Sequence, residues 1–305
     1  MAQDLGTAAG AQPIELEEAA ALLDEHGCDL STDEGLEFAR GLLARLSANR
    51  EFLGRLAIAD LKDGGARQRD INMYGAQVIM LHRQPRRHFI RANLWPSADD
   101  AVVRASGLSH YFYHVPHDHN FPFVTVGYAG PGYRSRWFEA DYDAIAGYEG
   151  EQVPLKLVEE GCLSPGRILH YRAHRDVHDQ HPPDALSISI NIIPESACAV
   201  WRDQYLFDAD ISGLRAVQTC SQGEILLRIA VACGDDDGLD LAHEFARKHA
   251  SHRARWNGWV ALMGAAQGDE ARAIMMERAV LDSSQLVSGN ARATLARIER
   301  GFRAS

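Results

Sequence analysis

Cysteine is scarce in this sequence and basic residues are outnumbered. The five cysteines (Cys28, Cys162, Cys198, Cys220, Cys233) are odd in number, scattered, and never spaced CxxC. That pattern argues against a disulfide framework and a thiolate zinc site, and predicts a reducing, cytoplasmic setting. Lys and Arg number 31 against 42 Asp and Glu, a formal net charge of −11 with histidine neutral. Polyanions are bound by neutralising phosphates with cations, so neither nucleic acid nor a membrane surface is an expected partner. The one basic run, His82-Arg83-Gln84-Pro85-Arg86-Arg87-His88, reads as a solvated turn entering a strand. Apolar runs stay far below the ~20 residues that a bilayer crossing needs. The opening MAQDLGTAAGAQPIELEEAA is acidic and has no basic-then-apolar order, so no secretory signal is expected. There is no GxSxG, and Gly130-Pro131-Gly132 and Asp63-Gly64-Gly65 read as turns, because neither has the strand-to-helix context of a phosphate loop.

What remains is an ordinary globular composition, 46% apolar and 24% charged over 305 residues, enough for one large domain or two. Three textures follow one another. Residues 1–66 carry helical spacing, as in Leu36, Ala39, Leu42, Leu43 and Leu46, with Ser31-Thr32-Asp33 as a helix-start signal. Residues 67–205 change to short extended runs separated by Gly/Pro turns: Gln77–His82, His88–Leu94, Tyr111–Val115, Phe123–Gly127, Ser135–Glu139, Ile168–Ala173 and Leu186–Ile193. Many short strands without intervening helices predict a sandwich or barrel. Residues 206–305 return to helical stripes, among them Ile225/Leu226/Ile229, Leu239/Ala242/Phe245 and Trp256/Trp259/Met263, with Asn290 as a possible cap for a last helix.

Histidine is abundant. Eight of the 14 histidines lie between His110 and His181. In Tyr111-Phe-Tyr-His-Val-Pro-His117-Asp-His119, an extended backbone sends His117 and His119 to the same face. Two converging imidazoles make two-thirds of a facial metal site. A third is sought in the cluster His170, His174, His178 and His181. His174-Arg175-Asp176 also matches the kinase HRD tripeptide, but no Gly-rich loop or DFG accompanies it. With His178 the same stretch imitates a two-His-one-carboxylate triad, a rival only if His117 and His119 face away from the interior.

His117-Asp-His119 followed by Gly130 resembles the first motif of the cupin superfamily, and Gly166-Arg-Ile-Leu-His-Tyr-Arg-Ala-His-Arg-Asp-Val-His178 resembles the second. The second spacing is one residue longer than usual and lacks the customary Pro-x-Gly. That departure leaves the third ligand open: His178 is the first candidate, with His174 and His181 as alternatives. Where many cupins carry a glutamate four residues after the second His, this sequence has Phe123. The resemblance implies an α+β protein: a central double-stranded β-helix (jelly-roll) barrel over 67–205, flanked by helical segments. It also implies a three-imidazole site similar to cysteine-dioxygenase-like cupins, holding Fe(II), with zinc, nickel or manganese as alternatives.

Strand parity supplies candidate surroundings. Tyr111 and Tyr113 share the face of His117 and His119 if the strand is unbroken, and are candidate catalytic phenols. In Leu186–Ile193, Ser187, Ser189 and Asn191 alternate with Ile188, Ile190 and Ile192; either set can face the interior, and the polar set is a candidate substrate-binding surface. Arg91 with Asn93, and Arg134 with Arg136, are candidate clamps for a substrate carboxylate. Tyr128, Tyr133 and Trp137 are candidate rim residues. These expectations converge on a mononuclear non-haem oxygenase acting on a small polar, amino-acid-like metabolite with dioxygen. The rivals are a redox-neutral Zn/Ni isomerase, lyase or cyclase, and a non-enzymatic metabolite sensor. A homodimer is expected, because pairing barrels covers exposed strand edges.

Overall fold

The computed structural model describes residues 2–72, 74–195 and 202–304; Cys198 lies outside them. The chain divides into two compact units, each discontinuous in sequence: Met1–Asp141 with Leu155–Arg202, and Tyr142–Pro154 with Asp203–Ser305.

The first unit runs β1 (Gln3–Thr7), α1 (Leu16–His26), α2 (Asp33–Ala48), α3 (Phe52–Lys62), α4 (Ala66–Ile71), β2 (Val78–Gln84), β3 (His88–Trp95), α5 (Ala101–Ser106), β4 (Phe123–Ala129), β5 (Arg134–Glu139), β6 (Lys156–Cys162), β7 (Arg167–Tyr171), β8 (Asp176–His181) and β9 (Ser187–Pro194). Thr32 caps α2 by accepting from the Gly35 amide at 3.1 Å, and Asp33 and Glu34 sit in the first turn, where the helix dipole favours negative charge. Six strands form one antiparallel sheet, in the order β1-β7-β4-β9-β3-β2, and three form another, β6-β5-β8. The fold is α+β with antiparallel sheets. Among the described residues the two ladders do not close into one barrel; isolated bridges, Tyr113↔Gln180 and His117↔His178, join residues outside the named strands to β8.

The six-stranded sheet has two different faces because side chains alternate along each strand. Ile90, Ala92, Val124, Val126, Ile168, Ile190 and Ile192 are fully buried on one face, in the same apolar cluster as Leu23, Leu43 and Leu46 of α1 and α2. Each such side chain contributes about 1.5–3 kcal/mol of transfer free energy. The opposite face carries Phe89, Trp95, Phe123, Leu169 and Tyr171, which cluster with Trp137 and with Tyr111 and Tyr113. Ser187, Ser189 and Asn191 are buried on this aromatic side, so the polar set faces inward and the isoleucines face the helices.

Two local expectations need correction. Tyr111–Val115 is not a strand. Tyr111 ends a 3-10 turn that begins at Leu108, and Phe112 and His114 have positive φ (60° and 57°), which breaks the pleat and its parity. Asn290 lies inside the last helix rather than capping it.

The second unit contains β10 (Tyr205–Phe207) and β11 (Leu214–Val217), then α6 (Gln222–Cys233), α7 (Asp236–Lys248), α8 (His252–Ala265), α9 (Gly268–Val280) and α10 (Gln285–Ala304). Reciprocal backbone bonds, Gly150 N–H to Leu214 O and Leu214 N–H to Glu151 O, tie 142–154 into this unit. A capping box (Ser221, Glu224) starts α6. Gly258 lets α8 approach α7 closely, since a Cβ there would meet the Ala246 amide at 2.5 Å. No described helix is long and apolar enough to cross a membrane.

Candidate metal centre

His117 and His178 form an antiparallel pair. The His117 amide donates to the His178 carbonyl at 3.1 Å, and the His178 amide donates back at 2.9 Å. Facing residues of such a pair project side by side. His119, two residues beyond His117, joins from the same side; its carbonyl accepts from the His174 amide at 2.8 Å, which anchors the β7–β8 turn. The result is a three-histidine group in which Nε2 of His178 lies 3.1 Å from Nε2 of both His117 and His119.

All three imidazoles are buried or nearly so, and burial pushes their pKa values down: to about 4 for His117 and well below the ordinary imidazole range for His119 and His178. They are therefore neutral at pH 7, with a lone pair available on each ring. The Val115 carbonyl can only accept, so its 2.7 Å contact places the His117 proton on Nδ1 and leaves Nε2 as the donor atom toward the group's centre. Nitrogens about 2.0–2.1 Å from one ion, at roughly 90–110° to each other, stand about 3.0–3.4 Å apart, close to the spacing seen here. The residues fit a divalent transition metal.

Aromatic rings wall the group. Phe123, at the position where many cupins carry a glutamate, meets His119 edge-on at 5.0 Å and stacks on Tyr171 at 4.5 Å. Phe121 lies 5.0 Å from His119, Phe112 lies 5.0 Å from His117, and Tyr171 lies 4.8 Å from His178. No described carboxylate belongs to the set.

The alternatives for the third position lie elsewhere. His174 occupies the β7–β8 turn with φ 60°, and His181 groups with His114 and Asp179. Since His181 is three residues from His178 on β8, strand alternation sends it to the other face. Tyr113 is buried, but its hydroxyl donates to the Pro96 carbonyl at 2.8 Å, and its ring stacks 6.0 Å from Tyr111.

Arg91 and Asn93 lie on β3, opposite Asn191 and Ser189 of β9. The Arg91 Nε and the Asn93 Oδ1 are buried without a hydrogen-bond partner among the described residues. The Arg91 guanidinium lies 4.9 Å over the Tyr74 ring, and no described carboxylate pairs with it. Its positive charge opposes protonation of His119, which places the two in electrostatic reach. Burial pulls the Arg91 pKa down from its ordinary value. Ser189, by contrast, accepts from Trp95 Nε1 at 3.0 Å, Asn191 accepts from Thr125 at 2.6 Å, and Ser187 accepts from the Gly132 amide at 3.0 Å. Arg136 is engaged with Asp179 at 2.6 Å.

Sequence reading passed over two residues of the same wall. Trp137 Nε1 donates to the Tyr171 hydroxyl at 2.7 Å, and the Tyr133 hydroxyl is hydrogen-bonded to Tyr171 and Gln180. Tyr171 and Gln180 were recoverable by parity, two residues past Leu169 and His178, had 176–181 been read as a strand.

No protein-family model matches this chain, and no curated protein matches it. Several solved structures are similar over part of it. One is a structure of the DMSP lyases RdDddP and RnDddQII (11% identity, 42% of this chain and 50% of that chain, TM-score 0.25). Another is hydroquinone 1,2-dioxygenase from Sphingomonas sp. TTNP3 with 4-hydroxybenzoate bound (6% identity, 41% and 70%, TM-score 0.27). A third is the DMSP lyase DddQ from Ruegeria pomeroyi DSS-3 (12% identity, 42% and 54%, TM-score 0.23). The matched part of this chain thus spans about half the length of each lyase.

Proposed function

We propose that the first unit is a cupin-type, metal-dependent enzyme, a mononuclear non-haem Fe(II) oxygenase acting on a small, polar, amino-acid-like metabolite. The observation that carries this reading is the convergence of three neutral imidazoles, with no described carboxylate among them, near the half-buried Arg91 guanidinium, whose Nε is buried without a hydrogen-bond partner and which pairs with no described carboxylate. A divalent iron held by three neutral ligands keeps its full charge and leaves open positions for an anionic chelating substrate and for dioxygen. Arg91 binds the substrate carboxylate, which supplies the counter-charge that a buried cation requires. Asn93, Ser189 and Asn191 line the same face of the sheet, where Asn93 offers an unengaged carbonyl oxygen. Phe121, Phe123 and Tyr171 exclude water, and with it competing proton transfers.

A redox-neutral reading, a Zn or Ni lyase, isomerase or cyclase, is favoured by the hydrogen-bonded run Trp137–Tyr171–Tyr133–Gln180 beside His178. Burial raises the pKa values of Tyr133 and Tyr171, so both stay protonated at neutral pH and serve as donors rather than bases. That lowers their value for proton abstraction.

The deciding experiment purifies the protein anaerobically, measures its metal content, and compares iron- and zinc-reconstituted protein against a panel of small amino and thiol carboxylates. Oxygen uptake with iron alone supports the oxygenase. Turnover without oxygen uptake, supported by zinc, replaces it with the redox-neutral enzyme.

A further inference from the structure

A second group of ligand-type side chains lies on the helix-covered side of the six-stranded sheet. Asp24, in the last turns of α1, points one carboxylate oxygen at two imidazoles: Oδ1 is 2.8 Å from Nε2 of His82 on β2 and 2.8 Å from Nε2 of His88 on β3. His88 shares its face with Ile90, whereas Arg91 belongs to the opposite face, so the group is separated by the sheet from the three-histidine centre. We propose that Asp24, His82 and His88 form a second metal site, a two-histidine, one-carboxylate set for a divalent ion of the zinc class, which clamps α1 onto the β2–β3 hairpin. It stands independently of the function proposed above.

Three features favour an ion over a plain hydrogen-bonded staple. Both imidazoles converge on the same oxygen rather than one on each, which leaves three donor atoms around one point, and at an ion about 2.0–2.2 Å away the 2.8 Å separations correspond to ligand angles of about 80–90°. The His88 ring is 1% exposed and its Nδ1 has no partner among the described residues, so Nε2 carries its polar contact. The C-terminal end of α1 presents the negative end of the helix dipole, which favours a cation there.

The competing charges are consistent with this. No described Arg or Lys ion-pairs with Asp24, although the Arg87 charge reaches His88. The group His114/Asp179/His181 differs in this respect, because its carboxylate already holds the Arg136 guanidinium at 2.6 Å. Asp24 is 34% and His82 20% exposed, which leaves room for water or another ligand to complete the shell.

The test is metal stoichiometry with Zn²⁺ or Co²⁺ alone, on the full chain after chelation and equilibrium dialysis. The His178→Gln variant is expected to keep one ion per chain, and that ion should disappear on adding either Asp24→Asn or His82→Gln. Zn²⁺ should raise Tm in His178→Gln but not in the double variants, and Co²⁺ should give a d–d absorption band in His178→Gln that is lost in both. Since Asp24 and His82 are partly exposed, retained circular dichroism separates lost ligation from lost folding. If His178→Gln binds no ion, or if Asp24→Asn and His82→Gln leave its stoichiometry unchanged, the proposal is overturned and the group is a hydrogen-bonded staple. Wild-type binding of one ion that Asp24→Asn removes and His178→Gln does not would sink the three-histidine reading and leave this one standing.

Discussion

His117 and His178 exchange both backbone hydrogen bonds and still bring their Nε2 atoms to 3.1 Å. The backbone pair is what aligns the rings, so ligation can be removed without breaking the pair. His178→Gln should retain the fold, because both amides still bond, while metal affinity at the centre falls by more than the ~10–100-fold typical of losing an outer hydrogen-bond partner. Metal analysis beside circular dichroism checks this; a variant that keeps full affinity would remove His178 from the ligand set.

Arg91→Met should leave metal content unchanged and raise KM for an anionic substrate about ten- to hundredfold, corresponding to a charged hydrogen bond of ~1.5–3 kcal/mol. Thermal stability should change little, since Arg91 is half-buried and pairs with no described carboxylate, while its contact with Tyr74 is partly kept by the methionine side chain. Steady-state kinetics with and without the substrate carboxylate, alongside a melting curve, gives both readouts.

Phe123→Glu places a carboxylate against His119, where the ring now packs edge-on. The expected outcome is a lower Tm without metal, because a buried carboxylate is costly unpaired, and a larger rise in Tm on adding Mn²⁺ or Zn²⁺ than in the wild type. An equal metal-induced rise in both proteins would mean that position 123 does not face the centre.

Gly130→Ala should be severely destabilising. Gly130 has φ +78°, and a Cβ there would stand 2.2 Å from the Leu186 carbonyl oxygen. The loss should exceed the ~1–3 kcal/mol that left-handed strain costs by itself, because the β4–β5 turn must also move. Denaturant unfolding measures it, and a loss below 1 kcal/mol would contradict the turn geometry.

Glu139 is held down to about pKa 2 by hydrogen bonds from Arg175 and then Arg172. A carboxylate depressed in the folded state contributes its stability above its unfolded pKa and loses it as pH falls through the folded value. The wild type should therefore lose stability between about pH 4.5 and 2, and Glu139→Gln should lessen that slope. The difference at pH 7 is expected to be no more than ~1 kcal/mol, because Glu139 and Arg175 are 29% and 56% exposed.

Much of this molecule was legible in its sequence where one periodicity ran undisturbed. The helical stripes from Ile225 onward became α6–α10, although the start of the expected helical region, 205–217, holds the strands β10 and β11; alternation in β9 put Ser187, Ser189 and Asn191 on one face and Ile188, Ile190 and Ile192 on the other. The His117–His119 pair was visible because i and i+2 in extended chain agree. Reading failed where backbone rather than side chain decides. Tyr111–Val115 alternates plausibly, yet positive φ at Phe112 and His114 turns it into a loop. Strand β8, Asp176–His181, reads Asp-Val-His-Asp-Gln-His, with one apolar residue in six, since its inward positions carry the site rather than an apolar core. The assignment of 142–154 to the helical unit depends on bonds from Gly150 and Glu151 to Leu214, which no local pattern announces. Strand β1 is held by pairing with β7, a contact 163 residues away between Asp4 and Arg167.

The division of labour in β9 has a consequence for how this chain can change. Its Ile188, Ile190 and Ile192 pack toward the helices and its serines and asparagine line the aromatic side, so adding or deleting a single residue in that strand would exchange the two sets at once. Point substitutions can retune either surface separately, whereas length changes cannot, and insertions should be tolerated only beyond the strand's ends.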